Sequence, residues 1–268
     1  MKLTARAAHW VDSIRSRIVN RIVFTPSPSS ESIVDCLPPE IRRFSLPTSD
    51  RETIEAFHLS VPGATQLVIY FHGSSGNIAR RLPELKRIAA LGVEVFGVSY
   101  RGFGASSGRP SERGICLDGQ TALAYAVDEL GFSPDRIFLF GRSIGSAVAL
   151  QIAAGQALAG IILVTPISSG RDYMAQRGWG VLSKLAGPSF DNLSRCDRII
   201  APVLFVHGSR DEITPLEMAR RLRRRLRTRT QLVVVNQAGH ADLEIMAPDL
   251  YWSSIQRFIL RQREYAAL

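Results

Sequence analysis

The sequence predicts an α/β fold built on a mostly parallel, doubly wound sheet of about eight strands. From residue 66 onward, short apolar runs rich in Val, Ile and Phe alternate with stretches of helical periodicity. Such runs are typical of strands buried on both faces of a parallel sheet. Polar or glycine-rich turns follow several of the runs, and the carboxyl ends of parallel strands are where ligands bind.

Two alternating segments precede this pattern and predict the first two strands of the sheet, at 41–47 and 53–61. The six buried strands are predicted at 66–73, 93–100, 136–141, 161–166, 202–208 and 231–236. The helices between and after them are predicted at 77–91, 111–130, 143–154, 215–227 and 248–264.

The chain divides into a basic N-terminal helix with a linker, residues 1–30, and one main domain, residues 31–268. Pro and Ser dominate the linker at 24–32. Within the main domain, residues 167–199 form a long irregular connection with one short helical candidate at 179–187, and connections of this length are usually functional. We expect a short lid-like insert there and a small or absent cap.

The N-terminal segment 1–21 carries five basic residues against one acid, with apolar residues every three or four positions. This pattern predicts an amphipathic helix, which either lies on an anionic bilayer or packs on its own domain. Both alternatives stay open. Neither a signal peptide nor a transmembrane helix is expected, because no apolar run is long enough.

Composition excludes a disordered or fibrous chain, since 46% of the 268 residues are hydrophobic and 21% charged. The three cysteines stand 80 residues apart, so we expect no disulfide framework, no metal site and a cytoplasmic location. The net charge is +9, with seven arginines between Arg220 and Arg229. No aromatic residues interleave with these arginines, so we predict no nucleic-acid partner. The regular apolar spacing instead predicts an amphipathic helix with a solvated basic face, whose inward residues are Leu216, Ala219, Leu222 and Leu226.

The strongest catalytic motif is Gly141-Arg-Ser143-Ile-Gly145, between a predicted buried strand and a helix of small residues. A Gly-x-Ser-x-Gly at such a junction forms a sharp turn that presents the serine hydroxyl at the edge of the sheet. Ser143 is therefore the candidate nucleophile.

A serine hydroxyl needs a base, and the base needs an orienting carboxylate. Of the five histidines, His240 follows the last predicted strand in a loop without another obvious role. Asp211 follows the preceding strand, and the chain order Ser, Asp, His is the one expected for successive strands of such a sheet. Asp211 is preferred to its neighbour Glu212.

The oxyanion of an acyl-transfer intermediate needs two backbone N–H donors. One is expected from Ile144, directly after the nucleophile. The other is expected from the glycine-rich loop at 72–77, with Ser74 as the first choice and Ser75 as the second. His72 is interpreted as a structural hydrogen-bonding residue.

The stretches YFHGSSGNIARRL, VFGVSYRGFGASSGRP and RIFLFGRSIGSAVAL resemble the α/β-hydrolase superfamily, and most closely its Bem46-like branch of serine hydrolases, which includes protein depalmitoylases. The resemblance covers about residues 40–262. It implies the α/β-hydrolase fold and supports Ser74, because in this family the residue after His-Gly supplies an oxyanion donor. Family members often carry Asn where this chain has Ser74.

The sequence therefore predicts a serine esterase or thioesterase acting on small-molecule ester or acyl substrates without a cofactor. Two alternatives remain. One is a peptidase of the prolyl-oligopeptidase type, and the other is a binding protein that keeps the fold without catalysis. Tyr173, Met174 and Trp179 in the insert either line the site or pack on the sheet.

Overall fold

An eight-stranded sheet forms the centre of the molecule, at the positions that the apolar runs predicted. The computed structural model describes residues 20, 23–28, 37–179 and 189–266. The described part of the chain contains these strands: β1 (Thr25–Pro26), β2 (Ile41–Pro47), β3 (Thr53–Leu59), β4 (Leu67–Phe71), β5 (Ser75–Gly76), β6 (Glu94–Val98), β7 (Ile137–Arg142), β8 (Gly160–Val164), β9 (Val203–Gly208) and β10 (Thr230–Val235).

The strand order in the large sheet is β10-β9-β8-β7-β4-β6-β3-β2. The six strands from β10 to β6 are parallel to one another, and β3 is antiparallel to them. The edge strand β2 is antiparallel to β3 and so runs in the same direction as the six. All five residues of β4 are fully buried, as expected for a central strand covered on both faces. The predicted mostly parallel, eight-stranded sheet is thus confirmed.

Helices cover both faces of this sheet. They are α1 (Leu82–Ala89), α2 (Glu112–Asp128), α3 (Gly145–Ala153), α4 (Gly170–Gln176), α5 (Asn192–Arg195), α6 (Leu216–Arg225), α7 (Leu243–Met246) and α8 (Pro248–Ala266). Apolar side chains of α2, α3 and α6 enter one hydrophobic core, and those of α1 and α8 enter the other. This arrangement is the predicted doubly wound one.

The arginine-rich helix α6 is amphipathic, as its spacing predicted. Met218, Ala219 and Leu222 are buried, while the arginines are exposed. The helix ends at Arg225, earlier than predicted, because the next residue is extended (φ −68°, ψ 138°). Leu216, expected to point inward, is half-buried, and Met218 fills the core position instead.

The linker predicted at 24–32 is, over its first residues, part of the folded domain. Residues 23–28, here called the N-terminal strap, pack on the main domain through Val23 and Phe24, which are 2% and 5% exposed. Strand β1 of the strap pairs in parallel with β5. The Pro and Ser content suggested a linker, but Phe24 gives the segment an apolar anchor.

The insert at 167–199 contains α4 and α5, and the helix predicted at 179–187 lies outside the described residues except for Trp179. Tyr173 and Met174 pack in the core, whereas Trp179 is 40% exposed. The predicted N-terminal helix at 1–21 is described only at residue 20, and the boundary at residue 30 also lies outside the described residues. Among the described helices, none combines the length and apolar character needed to cross a membrane.

Candidate active site

Ser143 lies in a sharp turn between β7 and α3, at the carboxyl edge of the parallel strands. Its backbone adopts a positive φ of 52°, an unusual conformation for a residue with a side chain. The turn leaves no room for side chains on either flank: a Cβ on Gly145 would overlap the carbonyl oxygen of Phe71, and one on Gly141 would lie 2.6 Å from the carbonyl oxygen of Gly145. The two glycines therefore permit the strained turn that the motif predicted.

The structure brings Ser143 together with His240 and Asp211, although these residues are far apart along the chain. The Nε2 atom of His240 lies 3.1 Å from the Ser143 hydroxyl oxygen, and its Nδ1 atom lies 2.8 Å from Oδ2 of Asp211. A carboxylate only accepts hydrogen bonds, so Nδ1 carries the proton and Nε2 is left free to accept the serine hydroxyl proton. The side chains form one continuous hydrogen-bonded chain.

The Asp211 carboxylate is held from several sides. Its Oδ1 atom accepts the backbone N–H groups of Ile213 (2.9 Å) and Thr214 (2.8 Å), while Oδ2 accepts the Thr214 hydroxyl at 2.8 Å. The ring of His207 approaches Oδ2 to 3.4 Å. Burial alone would raise the pKa of Asp211, but the hydrogen bonds from His207, His240 and Thr214 outweigh it and hold that pKa well below its usual range.

Thr214 is a site residue that the sequence reasoning missed. Its hydroxyl oxygen lies 2.8 Å from Oδ2 of Asp211 and 3.1 Å from Nδ1 of His240, so Thr214 contacts both residues that are hydrogen-bonded to each other. The three-residue spacing of Asp211 and Thr214 could have indicated this contact. In a common local turn, an Asp side chain accepts the backbone N–H of the residue three positions later. The contact with His240 depends on the fold and has no local signal.

The 72–77 loop passes over the nucleophile. A Cβ added at Gly73 would lie 3.7 Å from the Cβ of Ser143. Ser74 is half-buried, and Ile144 is buried directly before the first turn of α3. Neither backbone N–H donates a hydrogen bond to another described residue. Ser75, the second choice, is exposed and pairs with Thr25 in the small sheet.

His72 is fully buried and donates from Nδ1 to the carbonyl oxygen of Gly73 at 2.6 Å. Burial is the main reason that its pKa is lowered to about 3. His207 likewise donates from Nε2 to the carbonyl oxygen of Thr214 at 2.6 Å. His58 faces Glu94 at 2.6 Å, and His9 lies outside the described residues. His240 is thus the described histidine that reaches Ser143.

Arg142, next to the nucleophile, ties the turn to two other parts of the site. It contacts Glu84 of α1 at 3.2 Å and donates to the carbonyl oxygen of Ala241, next to His240, at 3.4 Å. Glu84 also accepts the Tyr70 hydroxyl at 2.6 Å. In the described part of the chain, no three His, Cys, Asp or Glu side chains are grouped as a metal ion would require.

Comparisons with known proteins agree with this fold. Residues 62–195 match the family model Hydrolase_4, described as serine aminopeptidase, S33, and residues 184–248 match that of TAP-like protein. An esterase of Pyrococcus furiosus superposes with a TM-score of 0.73 at 18% identity, covering 90% of this chain and 98% of the esterase. The chain therefore belongs to the α/β hydrolases, and it is a hydrolase by family.

Within this class the chain is a Bem46-like protein, as the resemblance implied. Protein bem46 of Schizosaccharomyces pombe is 34% identical over 189 residues, which cover 66% of this chain and 62% of that protein. An uncharacterized Mycobacterium tuberculosis protein is 28% identical over 246 residues, covering 89% of this chain and 86% of its own length.

Proposed function

We propose that the protein is a serine hydrolase that cleaves carboxylic esters or thioesters through an acyl-enzyme on Ser143. The observation that carries the proposal is the hydrogen-bonded chain from Asp211 through His240 to the Ser143 hydroxyl. Such a chain supplies both a base for the hydroxyl proton and a carboxylate that stabilises the imidazolium formed.

In the first half of the reaction, Ser143 Oγ attacks the acyl carbon while its proton passes to Nε2 of His240. The carbonyl oxygen becomes an oxyanion, which accepts hydrogen bonds from the N–H groups of Ser74 and Ile144. The intermediate then collapses: the bond to the leaving group breaks, and His240 protonates the departing alkoxide or thiolate. The acyl group stays on Ser143.

In the second half, water attacks the acyl-enzyme while His240 takes its proton and then returns it to Ser143, releasing the carboxylic acid. Asp211 keeps its negative charge throughout, because its pKa is held low. The cycle needs no cofactor and no metal. We propose small or medium acyl groups as substrates, since the 167–199 insert is short for a lid.

The test uses a fluorophosphonate probe and p-nitrophenyl esters on the wild type, Ser143→Ala and the control Ser133→Ala. Ser133 is exposed and its side chain makes no capping hydrogen bond. We expect Ser143→Ala to lose labelling and to reduce turnover by roughly 10⁴-fold or more, while the control matches the wild type. Ester hydrolysis by Ser143→Ala at the wild-type rate would exclude the mechanism.

Two outcomes would favour the alternatives. An absence of both labelling and hydrolysis by the folded wild type would indicate a binding protein that keeps the fold without catalysis. Aminopeptidase activity is a candidate because the matching family model is described as serine aminopeptidase. Faster turnover of aminoacyl p-nitroanilides than of the matching aminoacyl esters would establish a peptidase instead.

We also propose a cytoplasmic location, on the basis of the scattered cysteines. Contact between the basic segment 1–21 and an anionic membrane stays a prediction. Salt-sensitive sedimentation with anionic vesicles, lost when the five basic residues of this segment are replaced by Gln, would support it. Failure to sediment at low salt would favour packing on the domain.

A further inference from the structure

The N-terminal strap lies directly against the 72–77 loop. Both donors of Thr25 point to one acceptor: its backbone N–H and its hydroxyl donate to the carbonyl oxygen of Ser74, at 2.9 Å and 3.2 Å. Two residues later, the N–H of Ser27 donates to the carbonyl oxygen of Gly76 at 3.2 Å. The strap thus binds the loop at the residue expected to supply an oxyanion donor.

The strap is itself firmly anchored. The ring of Phe24 packs edge-on against Phe103 and Phe190, with centroids 6.3 Å and 6.1 Å away. Past β1, the carbonyl oxygen of Ser27 accepts the N–H of Gly104 at 2.9 Å. The strap is therefore fixed to the core on one side and to the loop at 100–104 on the other, so it can hold the 72–77 loop in place.

Further along, the side-chain amide of Asn77 donates to the carbonyl oxygen of Pro28 at 2.7 Å. The strap is thus joined to the 72–77 loop at Thr25 and again at Pro28. The carbonyl oxygen of Ser75 also accepts a long hydrogen bond from Arg81, at 3.4 Å. The described loop carbonyls from Ser74 to Gly76 are all engaged from outside the loop.

Fixing the carbonyl of Ser74 also restrains its N–H. The two groups belong to adjacent planar peptide units, which are joined only by the φ and ψ rotations at the Cα of Ser74. An oxyanion donor is effective only when it already points to the place where charge develops. A residue that locks the carbonyl therefore limits the directions in which the N–H can point.

We propose that Thr25 is a positioning residue that orients the Ser74 N–H toward the oxyanion. This inference rests on the proposed hydrolase function, because it assigns a role within the same site. Thr25 acts through Ser74 and does not touch the substrate. Its loss should weaken stabilisation of the transition state while leaving ground-state binding of the substrate unchanged.

The experiment compares four variants of the full chain. Thr25→Val removes the hydroxyl donor but keeps a β-branched side chain, and Thr25→Ser keeps the hydroxyl. Thr25→Pro removes both donors at the first residue of a strand, where proline is tolerated. The matched control is Thr228→Val, because the hydroxyl of Thr228 also donates to a backbone carbonyl, that of Ile200 at 2.9 Å. This hydrogen bond joins the segments that precede β9 and β10 in the chain.

The measurements are kcat and KM for a p-nitrophenyl ester, the melting temperature, and the affinity for a trifluoromethyl ketone. Ser143 Oγ adds to the carbonyl carbon of the unhydrated ketone while its proton passes to Nε2 of His240, and the resulting hemiketal carries a stable oxyanion. We expect kcat and ketone affinity to fall in parallel, about threefold in Thr25→Val and about tenfold in Thr25→Pro, with KM unchanged. Thr25→Ser and Thr228→Val should match the wild type.

The results separate this inference from the proposed function. If the wild type shows no Ser143-dependent hydrolysis, the proposed function fails and the role of Thr25 fails with it. If the wild type is active and Thr25→Pro is folded with unchanged kcat and ketone affinity, only the role of Thr25 is overturned. A lower melting temperature with unchanged kcat in Thr25→Val would likewise overturn it, because the strap would then only stabilise the fold.

Discussion

The imidazole of His72 follows β4 directly and is packed against the rings of Tyr100 and Phe103, with centroids 4.4 Å and 5.1 Å away. One ring nitrogen bonds to Gly73, and the other has no hydrogen-bond partner among the described residues. A buried ring in these surroundings disfavours the charged form, so its pKa falls to about 3. A neutral His72 keeps positive charge out of the 72–77 loop.

This burial makes the stability of the protein depend on pH. His72 is protonated below about pH 6.5 in the unfolded chain, but only near pH 3 in the folded protein. Protonation therefore favours the unfolded chain, and stability is lost as the pH falls below 6.5. We expect the wild type to lose about 2 kcal/mol more than His72→Gln between pH 7.5 and pH 5, measured by urea unfolding. Equal losses in both proteins would contradict the assignment.

At this scale, the structure brings together the three residues that the sequence reasoning chose, because their positions depend on local motifs and on chain order. The two glycines of the motif predicted the turn around Ser143. The order of Asp211 and His240 along the chain follows from the order of the strands. The contacts of Thr214 with His240 and of Thr25 with Ser74 had no such signal. Each joins residues that are distant along the chain, so only the folded structure brings them together.

At the scale of secondary structure, Arg101 joins three elements. Its guanidinium forms paired hydrogen bonds to Asp118 of α2, with Nη2 at 2.8 Å, and to Asp50 in the turn between β2 and β3, with Nη1 at 2.7 Å. Arg101 itself follows β6, and Asp118 is fully buried. Burial raises the pKa of Asp118 despite the hydrogen bonds from Arg101. The guanidinium is therefore the group that offsets a buried carboxylate.

Removing Arg101 should destabilise the protein strongly. In Arg101→Met, Asp118 keeps its burial and loses its partner, so we expect the free energy of unfolding to fall by about 3–5 kcal/mol in urea titrations. The second change in Arg101→Met/Asp118→Asn should restore part of the loss, because no buried charge remains. The exposed Arg220→Met is the control and should keep the wild-type midpoint. A wild-type midpoint in Arg101→Met would refute the argument.

Elements with a strong periodic pattern were predicted well, and very short elements were missed. Strand β2 has the predicted bounds, because its alternation is local and its turn is polar. Strands β1 and β5 have only two residues each, and each exists because the other lies beside it. Two residues carry no measurable period, so the Pro and Ser content of 24–32 pointed to a linker instead.

For the molecule as a whole, the seven arginines between Arg220 and Arg229 are less available for binding than their number suggests. On α6, Arg221 pairs with Asp172 at 2.7 Å and Arg225 with Asp197 at 2.5 Å, and Arg224 pairs with Glu217. Several arginines of the cluster are thus engaged by acids of the same chain. The helix presents a mixed surface of paired charges.

We therefore expect no tight binding of nucleic acid. With fluorescently labelled single- and double-stranded 20-mers at 150 mM salt, anisotropy should show no saturation below about 1 µM protein. Replacing Asp172 and Asp197 with Asn would free Arg221 and Arg225, and should increase binding at low salt. Submicromolar binding by the wild type at 150 mM salt would show that the cluster is a genuine nucleic-acid surface.

The N-terminal strap has a practical consequence for how the protein is produced. A recombinant version that starts at residue 31, where composition alone would suggest cutting, keeps all three of Ser143, Asp211 and His240. It nevertheless lacks the two donors of Thr25 and the aromatic anchor of Phe24. We expect such a shortened protein to react slowly with the fluorophosphonate probe. Its slow reaction would be mistaken for the intrinsic rate of the enzyme, although it would result from the loss of the first thirty residues.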